Sequence, residues 1–313
     1  MDQVAHADVG TVRCCEPLHR HATWRIGGPA DLWVEPHSVQ HVVNFVRTAG
    51  RAGVPYVVVG SGSNLLFDDA GLRGAVLALG RNLAAFRIEG TRVWSQAGVA
   101  VPRLARNISR AGLTGMEYAV GVPGTLGGLV AMNGGSLRRS IGEFVRAVTV
   151  VTPAGDVRAY SQEECDFAYR HSRFQGSRDI IVEAALDLEW DCAEAIRLRM
   201  LDILRTRRVK FPRREPNCGS VFASGGEMYE RFGPPGKVVE DTGCKGWREG
   251  GAVVSPQHAN FIVNKGGATS ADVLRLIHRV REAVHARTGL WLQCEVKHIS
   301  QSGQVMSAHA VHA

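Results

Sequence analysis

Residues 57–74, VVVGSGSNLLFDDAGLRG, run from an apolar stretch into the loop Gly60-Ser61-Gly62-Ser63-Asn64 and then into a second apolar stretch beginning at Leu65. That order constrains the fold more than any other feature. A Rossmann fold or a P-loop needs a helix opening directly out of the glycines, so that its N-terminus faces the phosphates. Here LLFDDAGLRGAVLAL reads as a short strand, a glycine-containing turn and another strand. The sixth position of a GxGxxG pattern is Leu65, and no Gly-Lys-Ser/Thr occurs. Both familiar nucleotide motifs therefore fail. A strand-loop-strand glycine nest can still offer backbone N–H groups to a pyrophosphate. The same residues would also make a tight hairpin turn.

The flanking segments read as α+β. Residues 38–52 predict an amphipathic helix with Val39, Val42, Val43 and Val46 on one side, followed by the buried strand VPYVVVG. VPRLARNISRAG places Pro102 near a helix start and Gly112 at its end. Residues 115–135, GMEYAVGVPGTLGGLVAMNGG, carry six glycines between 121 and 135. Such density suits a backbone pressed against a large flat ligand. VRAVTVV-TPAGD-VRAYS is a hairpin, DIIVEAALDLEW a strand, and a basic helix follows. After Pro216 come glycine-rich loops and short elements, then a strand at HANFIVN. The helix TSADVLRLIHRVREAVHARTG has a Thr269/Asp272 capping box, a buried stripe of Val273, Leu276, Ile277, Val280 and Val284, and Gly289 at its end. LWLQCEVKHIS closes the chain as a strand. The tail SAHAVHA is expected to fray, with His309 and His312 an incidental pair rather than a metal site.

A length of 313 residues, 45% hydrophobic and 21% charged, is that of an ordinary globular protein with two or three cores. The opening MDQVAHADVG lacks a basic and an apolar region, which argues against a secretory signal and for the cytoplasm. Seven cysteines without a CxxC pair make no disulfide framework. No run approaches the ~18 apolar residues of a membrane span. The net charge of +7 sits largely in RLRMLDILRTRRVKFPRR, residues 197–214. With Ile196, Met200, Ile203 and Leu204 turned inward, its arginines form a solvated face or a rim attracting small anions. No nucleic-acid module is visible, so no nucleic-acid partner is expected.

Seven blocks, HATWRIGGPAD, GSGSNLLFDDAGLRG, GLTGMEYAVGVPGTLGGLVAMNGG, FAYRHSRF, PNCGSVF, HANFIVN and LQCEVKHI, stand in an order that resembles the UDP-N-acetylenolpyruvoylglucosamine reductase family, from about Thr23 to Ile299. The resemblance implies an α+β FAD-binding fold of the vanillyl-alcohol-oxidase (PCMH) type. Two FAD-binding subdomains, 1–85 and 86–212, would be joined by a C-terminal α+β substrate domain, 213–313, whose last strand could return to the first subdomain. It implies non-covalent FAD, NADPH as co-substrate, a nucleotide-sugar substrate and a monomer. NADPH would reduce the flavin, and the reduced flavin would reduce the enolpyruvyl ether of UDP-GlcNAc-enolpyruvate to UDP-N-acetylmuramate. With only about ten residues between Arg170 and the strand at 180, the chain is similar to the shorter type without a substrate-capping insertion.

The resemblance also implies residue roles. Gly60, Ser61, Gly62, Ser63, Asn64 and Leu65 would cradle the FAD pyrophosphate. Gly121, Pro123, Gly124, Thr125, Gly127, Gly128 and Asn133 would lie along the isoalloxazine and ribityl chain. Arg170 would grip the substrate carboxylate and stabilise an enolate as negative charge develops. Glu295, beside the same group, would be protonated and donate a hydrogen bond, which requires burial and neighbouring negative charge. Ser220 would give the proton that quenches the carbanion. Tyr169, Lys210, Lys245 and His258 would line the substrate site. Taken singly, an Arg beside Tyr169 suits a surface ion pair, Ser220 a turn, and Glu295 a solvent-facing strand.

The chain departs from the family pattern at Ala223-Ser224-Gly225, at MNGGSLRRSIGE, at Ser61 and at HIS. Those departures leave open a related FAD-dependent reductase or oxidase acting on another substrate in a specialised pathway. A nucleotide-binding protein without catalysis is the reading of a different class.

Overall fold

The computed structural model describes residues 1–311 and divides the chain into two compact units. Unit 1 comprises residues 1–14, 32–61 and 75–207; unit 2 comprises 15–31, 62–74 and 208–313. The linear division into 1–85, 86–212 and 213–313 differs from this arrangement. Unit 2 takes 15–31 and 62–74 out of the first of those segments, and its remainder joins residues 86–207 in unit 1. The apolar residues explain the difference. Trp24, Ile26 and Leu66 are buried in one core with Val221, Val239, Ile277 and Val296, whereas Val34, Val46 and Leu77 share the other core with Val93, Leu104 and Val148.

Unit 1 contains a five-stranded antiparallel sheet in the order Val157–Ser161, Val145–Val151, Ile180–Asp187, Arg92–Gln96, Phe86–Glu89. It also holds the greater part of a four-stranded sheet ordered Thr11–Pro17, Pro29–Glu35, Leu72–Ala78, Tyr56–Val59, whose last two strands are parallel. The helix Val39–Ala52 starts where the Ser38 side chain accepts the His41 N–H and stops at Gly53 in the left-handed region. Val42, Val43 and Val46 are buried as its periodicity requires. A six-residue helix, Leu126–Ala131, lies inside the second glycine run. In the basic helix Ala193–Lys210, Ile196 and Met200 are buried, and Ile203 and Leu204 pack against the same core.

Unit 2 contains two three-stranded sheets. One orders Arg248–Glu249, Ala252–Val254 and Ile262–Asn264; the other orders Val305–Ser307, Lys297–Ile299 and Leu65–Phe67, with Lys297–Ile299 parallel to Leu65–Phe67. The helix Ser270–Thr288 has the Thr269/Asp272 capping box, and Asp69 accepts both the N–H and the hydroxyl of Ser270. Two short helices, Gly226–Phe232 and Pro235–Asp241, occupy the glycine-rich region after Pro216. The closing segment differs from the expectation: only Lys297–Ile299 is a strand in the long stretch from Leu290. The tail is docked through Val311. Its carbonyl bonds the His278 ring at 2.7 Å, and His309 Nδ1 accepts the Cys294 N–H at 3.1 Å. His312 lies outside the described residues. Among those residues, no helix is long and apolar enough to cross a membrane, and no cluster of three metal-ligating side chains occurs.

Candidate active site

Within unit 1 the two glycine loops touch. A Cβ on Gly60 would stand 2.3 Å from Thr125 Oγ1, so the approach exists only because residue 60 has no side chain. Thr125 is buried at the N-terminus of Leu126–Ala131, while Ser61, Pro123 and Gly128 are exposed beside it. Residues 60–64 belong to no helix or strand. Two apposed glycine loops with accessible backbone suit an extended dinucleotide, which is the fit FAD requires. Several glycines of the second run have nearer reasons for being small. A Cβ at Gly121 would meet Arg207, one at Gly127 would meet Ala97, and one at Gly134 would meet Leu129.

Asn133 is tied into the chain. Its buried amide donates through Nδ2 to the Ala168 carbonyl at 2.8 Å and accepts the Gly142 N–H at Oδ1, 2.9 Å. Ala168 opens a tight hairpin. Ala168 and His171 exchange backbone hydrogen bonds of 3.2 and 3.0 Å, leaving Tyr169 and Arg170 at the tip. Arg170 sits at φ +53°, a conformation costly for a side chain of this size, so the hairpin must be held from outside. Ser172, fully buried, adds a hydroxyl bond to the Ala131 carbonyl at 2.7 Å. The Arg170 guanidinium donates to the Gly135 carbonyl at 3.3 Å and lies 5.5 Å from the centre of the exposed Tyr169 ring.

Unit 2 brings Ser220 and Glu295 onto paired segments. Gly219 has φ +83°, which favours glycine, and the Asn217 side chain accepts its N–H at 2.9 Å; Ser220 follows this turn. The Glu295 N–H donates to the Val221 carbonyl at 2.9 Å, the Ala223 N–H donates to the Gln293 carbonyl at 2.8 Å, and Phe222 bridges Cys294. Ser220 and Glu295 are both partly buried. Cys218 stands two residues before Ser220 and Cys294 directly before Glu295, but burial pushes the Cys294 thiol up to about 12 and raises Cys218 as well. Neither supplies a thiolate nucleophile at neutral pH.

Gly62, Ser63, Asn64 and Leu65 also belong to unit 2. Gly62, at φ +61°, is pinned where a Cβ would lie 2.1 Å from the His21 carbonyl. Asn64 Nδ2 donates to the Glu295 carbonyl at 3.1 Å, and the Lys297 N–H donates back to the Asn64 carbonyl at 3.1 Å. Lys210, Lys245 and His258 also lie in this unit. The His258 ring packs on Phe211 and Phe261, with centroids 5.3 and 5.1 Å away, and Lys210 lies 5.8 Å from the Phe211 ring centre. Burial holds the His258 imidazole below the usual value, and the charges of Lys210 and Lys245 lower it further. Lys245 is paired with Glu240 at 2.6 Å.

An FAD binding domain model matches residues 30–161, and the C-terminal domain model of UDP-N-acetylenolpyruvoylglucosamine reductase matches residues 211–299. The chain is 46% identical over 294 residues to UDP-N-acetylenolpyruvoylglucosamine reductase 1 of Corynebacterium glutamicum, covering 94% of this chain and 88% of that one. The chain belongs to the UDP-N-acetylenolpyruvoylglucosamine reductase family. The Heliobacterium modesticaldum reductase is 45% identical, with 92% of this chain and 90% of that one covered. The crystal structure of the reductase (MurB) from Thermus caldophilus matches at a TM-score of 0.77 and 32% identity, covering 92% and 98% of the two chains. Membership fixes the α+β FAD-binding fold of the PCMH type and makes the chain an FAD-containing oxidoreductase.

The sequence readings missed the structural use of Asn133 and the part played by Asn260. The second is a fully internal amide in the HANFIVN block. Its signal was an asparagine just before an apolar strand, a position that rarely tolerates an unpartnered amide.

Proposed function

We propose that the protein reduces the enolpyruvyl ether of UDP-GlcNAc-enolpyruvate to UDP-N-acetylmuramate, with NADPH as the source of electrons, in peptidoglycan precursor synthesis. Non-covalently bound FAD, held by the two glycine loops, would supply the hydride relay between NADPH and the terminal carbon of the ether. The protein then has to manage charge at the neighbouring carbon. Arg170 holds the substrate carboxylate bidentately and stabilises the enolate. Glu295 contributes a hydrogen bond to the same group. Ser220 gives its proton: the O–H bond breaks, a C–H bond forms on the substrate, and the alkoxide recovers a proton from solvent.

The observation that carries this reading is the backbone pairing of Glu295 with Val221, the residue after Ser220. Ser220 and Glu295 thereby lie on adjacent segments, which supports the two roles. Residues 60–65 and the run from Gly121 to Gly128 hold the dinucleotide, with Gly60 against Thr125 supporting the assignment. Asn133 acts through the Arg170 hairpin. Tyr169, Lys210, Lys245 and His258 take the nucleotide-sugar, where basic groups would face its diphosphate. The protein works as a monomer in the cytoplasm.

Mass spectrometry of the product tests the substrate. Incubation with NADPH and UDP-GlcNAc-enolpyruvate should convert the ether to a species heavier by two hydrogens, one of them from solvent. NADPH consumption with the ether unchanged would reject it and favour another enol ether or unsaturated acid.

A further inference from the structure

Asn260 is 3% exposed and makes a two-point clasp on Phe222. Its Oδ1 accepts the Phe222 N–H at 2.8 Å, and its Nδ2 donates to the Phe222 carbonyl at 2.9 Å. Its own carbonyl accepts the Val221 N–H at 2.9 Å. One side chain and its backbone thus hold three polar groups of the two residues that follow Ser220, the Val221 N–H and the N–H and carbonyl of Phe222. The opposite edge of the same segment is held by Glu295, through the Val221 carbonyl. Asn260 is itself anchored. Its N–H donates to His258 Nδ1 at 3.2 Å, and the next residue, Phe261, accepts the N–H of the fully buried Ser255.

An amide that satisfies both backbone polar groups of one residue is hard to replace. Aliphatic residues leave a buried N–H and a buried carbonyl unpaired. A segment clasped on one edge by Asn260 and paired on the other with Glu295 has little freedom to rotate. The hydroxyl at its start inherits that restraint, and proton delivery to carbon depends steeply on such placement.

We propose that Asn260 is a positioning residue for Ser220, fixing the direction in which the hydroxyl presents its proton; this rests on the proton-donor reading of Ser220. Asn260 reaches the chemistry only through the segment it clasps.

Stopped-flow spectroscopy of the flavin-loaded protein under anaerobic conditions tests this with Asn260→Ala, Ser220→Ala and the double variant. Flavin reduction by NADPH should match the parent in Asn260→Ala. Flavin reoxidation by UDP-GlcNAc-enolpyruvate should slow about 10- to 100-fold, with a larger solvent deuterium effect and an unchanged substrate Kd. In the Ser220→Ala background, Asn260→Ala should slow reoxidation no further, because the group it positions is gone. Multiplying effects in the double variant, or equal slowing of both half-reactions, would overturn the positioning role. If Ser220→Ala slows reoxidation and Asn260→Ala does not, only the positioning role falls. If Ser220→Ala slows nothing, the reading beneath it falls. Asn260→Ser, smaller in the disturbance it makes, carries the same comparison should the alanine variant fail to fold.

Discussion

The Asn64 side chain donates a hydrogen bond to the backbone carbonyl of Glu295 at 3.1 Å. The second residue after that glutamate, Lys297, closes the arrangement by donating its N–H to the Asn64 carbonyl. The glycine loop assigned to the FAD pyrophosphate and the acid assigned to the substrate are therefore parts of one hydrogen-bonded piece. A change at either should be felt at the other.

Asn64→Ala removes the side-chain half of that link, a loss of about 1 kcal/mol. The variant should release flavin more readily on dilution and also reoxidise more slowly with substrate. Fluorescence of released flavin, together with the reoxidation rate, measures both. Damage confined to flavin retention would mean that the link does not carry to Glu295.

Glu295→Gln keeps an N–H donor, whereas Glu295→Ala keeps none. Reoxidation by substrate should fall about tenfold in the first and about 10²- to 10³-fold in the second, the scale for losing one preorganised donor. Equal losses would contradict the hydrogen-bond role.

Asn133→Ala should cost about 2–4 kcal/mol, since the Ala168 carbonyl and the Gly142 N–H both lose a buried partner. The midpoint of urea unfolding reads that cost. Flavin content should persist while the substrate-dependent step slows, because the hairpin carrying Arg170 is loosened. Flavin loss with a normal substrate step would instead mark Asn133 as a cofactor contact.

His298 is 3% exposed, neither ring nitrogen has a hydrogen-bond partner among the described residues, and Asp68 lies 3.6 Å away. Burial lowers its titration below the usual 6.5, against the pull of Asp68 and Asp69. The unfolded chain therefore takes up the proton first. Stability is complete above about 6.5 and falls as pH drops through the depressed folded value. Thermal melts between pH 7.5 and 5.5 should show this acid loss, and His298→Leu should reduce it. An identical loss in that variant would place the sensitivity elsewhere.

Much of the scaffold was legible because its signals are local. Ser38 and Gly53 cap one helix, Thr269 and Gly289 another, and the turn around Gly155 joins the hairpin strands. The strand-loop-strand course through Gly60 was also readable, since Leu65 excludes the usual nucleotide motifs. The division into units was not. Trp24 reaches Ile262 with its indole N–H across 238 positions, a pairing that no periodicity announces. The two helices after Gly225 were obscured by glycines at 225, 226, 233 and 236. Among the candidate functional residues, the family blocks pointed to Ser220, Arg170 and Glu295. The partners of the asparagines that brace their segments could not be read, because they are backbone groups far away in the chain.

Reoxidation under anaerobic conditions decides whether the bound flavin hands its electrons to the enolpyruvyl ether. The purified protein should be yellow, and one equivalent of NADPH should bleach it. Adding UDP-GlcNAc-enolpyruvate should restore the flavin absorbance within a single turnover. A flavin that stays bleached until oxygen is admitted would contradict the account.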